Sequence, residues 1–268
     1  MVRRIICALG LAFILIVVIA VPSSADWREM VEVISERGEG LRTTIEKLKS
    51  RAAEGDISSQ YMLGSIYYVA LTEEPDQDLS LLGNPTLEMA FELFLPPARS
   101  GNFYAQYTIG GMYNNGVGVE RDHDRAMYWL RKSADQGYSR AFTAIGGMYA
   151  LGRGVAKDLA EAARWYLRVA NAGYISGQYM LGSMLKQGLG VDRDLVLAHR
   201  WLRLAAAGGD DKARQALRDL QEIITPEQIA QAERDGEAWL EERGDKAKQK
   251  FAAFHDLEKL LKAPEAPE

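Results

Sequence analysis

Apolar residues along most of this chain recur at steps of three and four. In "FYAQYTIGGMYNN" (103–115), Ala105, Ile109, Met112 and Tyr113 fall on one face of a helix. In "HDRAMYWLRKSADQ" (123–136), Ala126, Trp129, Leu130, Ser133 and Ala134 do the same. That second pattern returns as Ala162, Trp165, Tyr166, Val169 and Ala170, then as Ala198, Trp201, Leu202, Ala205 and Ala206. Trp129, Trp165 and Trp201 lie 36 residues apart, and so do Gly110, Gly146 and Gly182. Asp122, Asp158 and Asp194 keep the step, as do Gly101, Gly137, Gly173 and Gly209. A fixed period of this size marks stacked helical repeats. Three full two-helix units follow, at 101–136, 137–172 and 173–208.

The polar punctuation agrees with this division. Asp122, Asp158 and Asp194 stand where a second helix begins and are expected to cap its free backbone N–H groups. Asp158 has Glu161 three residues on, a box-like pairing. Gly137, Gly173 and Gly209 sit where a helix end needs a left-handed residue. Gly110 and its copies lie inside the first helices, where glycine costs about 1 kcal/mol against alanine. Recurrence there predicts close approach of the neighbouring helix. Gly-x-Gly-Val recurs at 116–119, 152–155 and 188–191. A phosphate-binding loop needs a strand before it and a helix N-terminus open to the anion. Here a helix comes before and an aspartate caps the next, so the glycines are read as the turn of a helical hairpin.

Upstream the pattern is irregular. "QYMLGSIYY" (60–68) matches the first helix and "AFELFLPPARSG" (90–101) the second, but the glycine turn between them is replaced by a longer insertion at 69–86. Pro96 and Pro97 predict that this helix ends early or kinks. The expected layout is a signal peptide at 1–25, an N-terminal capping region at 26–54 and a solenoid at 55–208 whose irregular unit is 55–100. Capping helices at 209–262 and a disordered tail at 263–268 complete it. Within the last region, Thr225, Pro226 and Gln228 spell a capping box.

The first residues stand apart from these repeats. "MVRR", an unbroken apolar run and small residues at Ser23 and Ala25 read as a secretory signal peptide cut at Ala25/Asp26. Export makes the expected location periplasmic or secreted. Any membrane contact would be through this segment left uncleaved. Cys7 is the single cysteine, so the processed chain has no disulfide, thiolate nucleophile or cysteine metal site. Removing Arg3 and Arg4 leaves 30 basic against 37 acidic side chains, a net of −7. That balance argues against nucleic acid or anionic lipid as the partner.

Leu/Ile-Gly-x-x-Tyr, then Gly-x-Gly-Val, Asp, Ala-x-x-Trp, Ala and Gly, held at fixed spacings in 109–137 and 145–173, resembles the Sel-one-like repeat (SLR) family. In 181–209 Leu185 replaces the tyrosine. The resemblance implies an all-α, right-handed superhelical solenoid of antiparallel helix pairs, related to tetratricopeptide arrays, here with a 36-residue repeat. It also implies an adaptor that binds proteins, with exported bacterial members in envelope signalling, exopolysaccharide control and host contact. The family offers no shared catalytic residues to transfer. Cysteine-rich exported members bridge each repeat, and this chain departs from that subgroup.

Candidate chemistry is sparse. Ser183 and Lys186 spell S-x-x-K, but the S-D-N and K-T-G companions of a serine acylase are absent. His123, His199 and His255 have no metal-ligand spacing, and "EEPDQD" (73–78) lacks the glycine and distal glutamate of a calcium loop. The chain is therefore expected to be no enzyme and to need no cofactor or metal, and to act as a monomer. An envelope hydrolase or a polysaccharide-binding scaffold is the alternative. The latter needs solvent-facing aromatics paired with carboxylates along the groove. The expected binding surface is the concave face lined by the first helices. Tyr61, Tyr107 and Tyr179 recur there at one position, with Thr143 between, while Tyr104, Asn114, Arg140 and Lys186 vary beside them. Tyrosines packing only between repeats is the competing role. Leu79, Leu81 and Leu82 form a second candidate contact if they stay exposed.

Overall fold

The computed structural model describes residues 39–72, 79, 82–235 and 238. The signal segment, the 73–78 acidic stretch, Leu81, His255, the expected helix near 245–262 and the tail lie outside the described residues. The chain divides into two compact units, 1–141 and 142–268. Every regular element among the described residues is an α-helix.

In the first unit lie α1 (Glu39–Ala53), α2 (Ile57–Thr72), α3 (Leu87–Arg99), α4 (Phe103–Asn115) and α5 (His123–Asp135). The start of α6 (Ser139–Leu151) closes that unit, and the rest of α6 opens the second. The second unit continues with α7 (Leu159–Asn171), α8 (Ile175–Gln187), α9 (Leu195–Ala207), α10 (Asp211–Gln221) and a helical stretch at 226–235. First helices thus begin at Phe103, Ser139 and Ile175, and second helices at His123, Leu159 and Leu195.

The predicted caps form. Asp122, Asp158 and Asp194 each accept a 2.9 Å bond from the backbone N–H three residues on, at Arg125, Glu161 and Leu197. Thr225 and Gln228 close their box reciprocally, at 3.3 and 3.0 Å. Glu161 does not complete a box; it pairs with Arg164 at 2.7 Å instead. The Gly-x-Gly loop turns as expected and does more. Gly116 (φ +70°) ends α4, its N–H donating to Met112 O at 2.8 Å. Asp122 N–H then donates back to Tyr113 O at 3.0 Å, which folds α5 against α4. Gly118 (φ +66°) lies so close to Leu87 that an added Cβ would fall 2.2 Å from its carbonyl oxygen. The second glycine therefore lets one hairpin's loop pack on the backbone that starts the preceding hairpin's second helix. Gly190 repeats this against Leu159 in the second unit.

The glycine inside each first helix has the predicted packing reason. A Cβ at Gly110 would meet Leu130 Cγ at 2.8 Å, and one at Gly182 would meet Leu202 Cγ at 2.8 Å. Two glutamines, part-buried Gln60 and buried Gln106, add a tie the hydrophobic pattern did not reveal. Gln60 and Gln106 donate to Ala52 O and Ala98 O, at 3.1 and 3.0 Å, and so bind α2 and α4 each to the end of the helix before it.

Two expectations are corrected. α3 runs to Arg99 through Pro96 and Pro97 instead of stopping before them. Each proline removes one backbone donor to the carbonyl four residues before it, while its fixed φ stays compatible with helix. Buried Pro97 and Ala98 anchor that turn, and Ser100 N–H donates to Pro96 O at 2.9 Å. Of the leucine cluster, Leu79 and Leu82 are packed. Leu82 is 1% exposed within the core formed by Ile45, Leu63, Ile66 and Tyr67, and the Tyr67 hydroxyl donates to its carbonyl at 3.3 Å. Leu79 packs on the same cluster. Burying these side chains removes apolar area from water that an exposed contact would have kept available.

Candidate functional site

The first helices carry an unusual charge pattern. "ISSQYMLGSIYYVALT" (α2) and "FYAQYTIGGMYNN" (α4) contain no ionisable acid or base besides tyrosine. "SRAFTAIGGMYAL" (α6) has Arg140, and "ISGQYMLGSMLKQ" (α8) has Lys186. The second helices hold the paired charges, such as Arg125 with Asp122 and Arg164 with Glu161.

In the first unit the tyrosines of these helices gather into one cluster. Tyr138, in the turn before α6, meets Tyr104 at 5.0 Å and Tyr107 at 5.2 Å, both edge-on, and Phe103 at 5.4 Å. Tyr104 also lies on Phe103 at 4.1 Å. Tyr61 extends the group: its ring meets Phe94 at 5.9 Å. Burial pushes the Tyr61 phenol up to about 12, and the nearby Tyr104 and Tyr138 phenols add to the rise. Tyr138 is raised by burial too, opposed by the Arg140 guanidinium, which donates a hydrogen bond to its hydroxyl. Arg140 itself is exposed, and Tyr104, Tyr107 and Tyr138 are each only part-buried. The edge-on rings hold one another in place while leaving part of each accessible. Packing and exposure are thus not alternatives for these tyrosines.

Tyr138 was not legible as a site residue from the helical periodicity, because it lies outside both helices. Its signal is the Gly-Tyr pair at 137–138, repeated at 173–174. Asn102 and Asp210 stand at the same point before α4 and α10, and each caps its helix through its side chain, at 2.9 and 2.7 Å. Tyr174 forms no such side-chain cap.

The other candidates divide. Asn114 donates to Asn115 Oδ1 at 3.0 Å, and its own Oδ1 is buried without a hydrogen-bond partner. In the second unit Tyr179 is part-buried against the core around Trp201 and Leu202. Lys186 is committed to α10, donating to Asp219 and to Ala216 O, both at 3.4 Å. It works there as a tie between helices, and the S-x-x-K reading loses its base. His199 is 1% exposed in α9, and neither ring nitrogen has a hydrogen-bond partner. Burial holds its pKa below the usual imidazole range; Arg203 lowers it further and Glu233 opposes them.

The Sel1 repeat family model matches residues 57–81, 103–138, 143–174 and 175–210. Among solved structures, a Sel1 repeat protein from Oxalobacter formigenes is 44% identical, covering 47% of this chain and 95% of its own, with a TM-score of 0.43. The c5321 protein, a protective antigen of uropathogenic Escherichia coli strains displaying an SLR fold, is 23% identical. It covers 85% of this chain and 61% of its own, with a TM-score of 0.45. No curated protein matches.

Proposed function

From the premise that the chain belongs to the Sel1 repeat family, whose members generally act as protein-interaction scaffolds, we propose a non-catalytic adaptor of the bacterial cell envelope. In this reading residues 1–25 direct export. The first-helix face then holds a protein or peptide partner in a regulatory complex. The observation that carries the reading is the part-exposed cluster of Tyr104, Tyr107 and Tyr138 beside exposed Arg140. Tyrosine and arginine are the residues that most often dominate protein interfaces. Rings already braced against one another lose little freedom when a partner arrives.

The test is a photo-crosslinking residue placed singly at Tyr107 or at Arg131, which is exposed on second helix α5, in the full chain inside living cells. A discrete protein adduct at 107, absent at 131, is expected in the periplasmic fraction. Equal adducts at both positions, or none at 107, would overturn the assignment of the face. Recovery of the chain from cytosol alone would overturn the envelope assignment.

A further inference from the structure

The cluster's chemistry narrows the class of partner. Among α2, α4, α6 and α8 there is no aspartate or glutamate, although the chain as a whole carries a net charge of −5. Their two cations are Arg140 and Lys186, and Lys186 is neutralised by Asp219. Among the described residues no carboxylate pairs with Arg140; its contact is the Tyr138 hydroxyl. A guanidinium has five N–H donors, more than one phenol can satisfy. Its planar fork matches a carboxylate. The neighbouring tyrosine hydroxyls offer further hydrogen-bond donors to such a group.

Gly111 bears on the form of the partner. It lies one turn on from Tyr107, on the same side of α4, and a Cβ there would meet nothing within 4 Å. No packing demand explains it, in contrast with Gly110 next to it. A helical glycine with open space around it is unfavourable by about 1 kcal/mol against alanine, and its use is to let another backbone come close. Tyr138 shows a similar trade, since it gives up the capping role that Asn102 fills before α4. A polysaccharide would need carboxylates beside the rings to accept its hydroxyls, and these helices have none.

We propose that Tyr104, Tyr107, Tyr138 and Arg140 bind an extended acidic peptide segment, whose backbone passes over Gly111 and whose aspartate or glutamate sits on Arg140. This rests on the reading that the first-helix face binds protein. The probe is a random dodecapeptide phage library panned on the full chain, followed by fluorescence anisotropy of one selected peptide with the wild type, Arg140→Ala, Arg140→Glu and Tyr107→Ala. Circular dichroism on each variant confirms folding. Selected peptides should be enriched in Asp and Glu. Their affinity should fall about tenfold in Arg140→Ala, as for loss of a charge-assisted pair at a partly exposed site, and further in Arg140→Glu. Peptides with no acidic enrichment that need Tyr107 but ignore Arg140 would overturn the acidic assignment while leaving the face in place. Peptides indifferent to both residues, or no selection at all, would overturn the face as well.

Discussion

The paired glycines of α4 should respond in opposite directions to the same substitution. Gly110 and Gly111 share one helix interior, so alanine brings each about the same backbone benefit, close to 1 kcal/mol. At Gly111 nothing opposes it, because no atom lies within 4 Å of the new methyl. Gly111→Ala should therefore stabilise by about 1 kcal/mol. At Gly110 the methyl would stand 2.8 Å from Leu130 Cγ, 3.0 Å from Leu130 Cδ2 and 3.2 Å from the Ala126 carbonyl oxygen. Carbon atoms in optimal contact sit at about 3.5–4.0 Å. Leu130 is 1% exposed, so it would have to give way within the core. The Ala126 oxygen belongs to the α5 backbone, so relief requires that the two helices part. Overpacking of this kind costs about 1–3 kcal/mol. Gly110→Ala should thus be destabilising by about 1 kcal/mol net, and the neighbouring variants should differ by about 2–3 kcal/mol. Thermal melts followed by circular dichroism resolve this, since 1 kcal/mol moves the midpoint by about 2–4 °C in a chain of this size. A double-mutant cycle with Leu130→Ala sharpens the test. The methyl added by Gly110→Ala should partly fill the cavity that Leu130→Ala creates, so the double variant should lose less stability than the two single losses combined. A stabilising Gly110→Ala, or a strictly additive cycle, would refute the claim that this glycine exists for helix contact.

Two pH responses follow from buried groups. His199 has a folded pKa below its unfolded value, so its stabilising neutral state is fully present above about pH 6.5 and stability is lost as the pH falls below that. The urea midpoint should drop with acid by up to about 1.4 kcal/mol per pH unit from this group; His199→Leu should remove that slope, and an unchanged slope would refute the assignment. Tyr61, with its folded pKa pushed up to about 12, contributes stability that is complete below about pH 10 and is lost as the pH rises through 12. Absorbance titration at alkaline pH should show a late tyrosinate that Tyr61→Phe abolishes; a persisting late step would refute it.

Most of the hairpin architecture was legible because several local signals coincide. Asp122 caps, Gly116 turns, Gly110 makes room for Leu130, and the apolar stripe of α5 faces the same helix. Each signal is weak alone, but their agreement leaves little choice of fold. Pro96 and Pro97 misled because the two lost backbone donors are offset by tertiary packing: Pro97 and Ala98 are buried, and the fixed proline φ is compatible with helix. Leu79 and Leu82 were ambiguous because periodicity cannot say whether an insertion folds back. Their burial is set by a tertiary surface, the α1–α2 core. Lys186 looked like a variable groove residue, but its partner Asp219 lies 33 positions on, beyond the reach of any local pattern.

The site was half legible for a related reason. Tyr61 and Tyr107 announce themselves by recurring at one register position and Tyr104 by varying beside them, whereas Tyr138 sits at a helix boundary where propensity favours a cap. Asn102 shows what the position supports when only helix stability is at stake: a side-chain bond to Ala105 N–H at 2.9 Å. A side-chain cap contributes about 1 kcal/mol, and Tyr138 forgoes it to join three other aromatic rings. Gly111 forgoes a similar amount of helix propensity to leave a gap. Both departures adjoin one cluster: Gly111 stands one helical turn on from Tyr107, and Tyr138 meets the Tyr107 ring and the Arg140 guanidinium. Departures of this kind gather where function competes with folding. That coincidence, more than the number of aromatic rings, is what favours this cluster in the proposed reading.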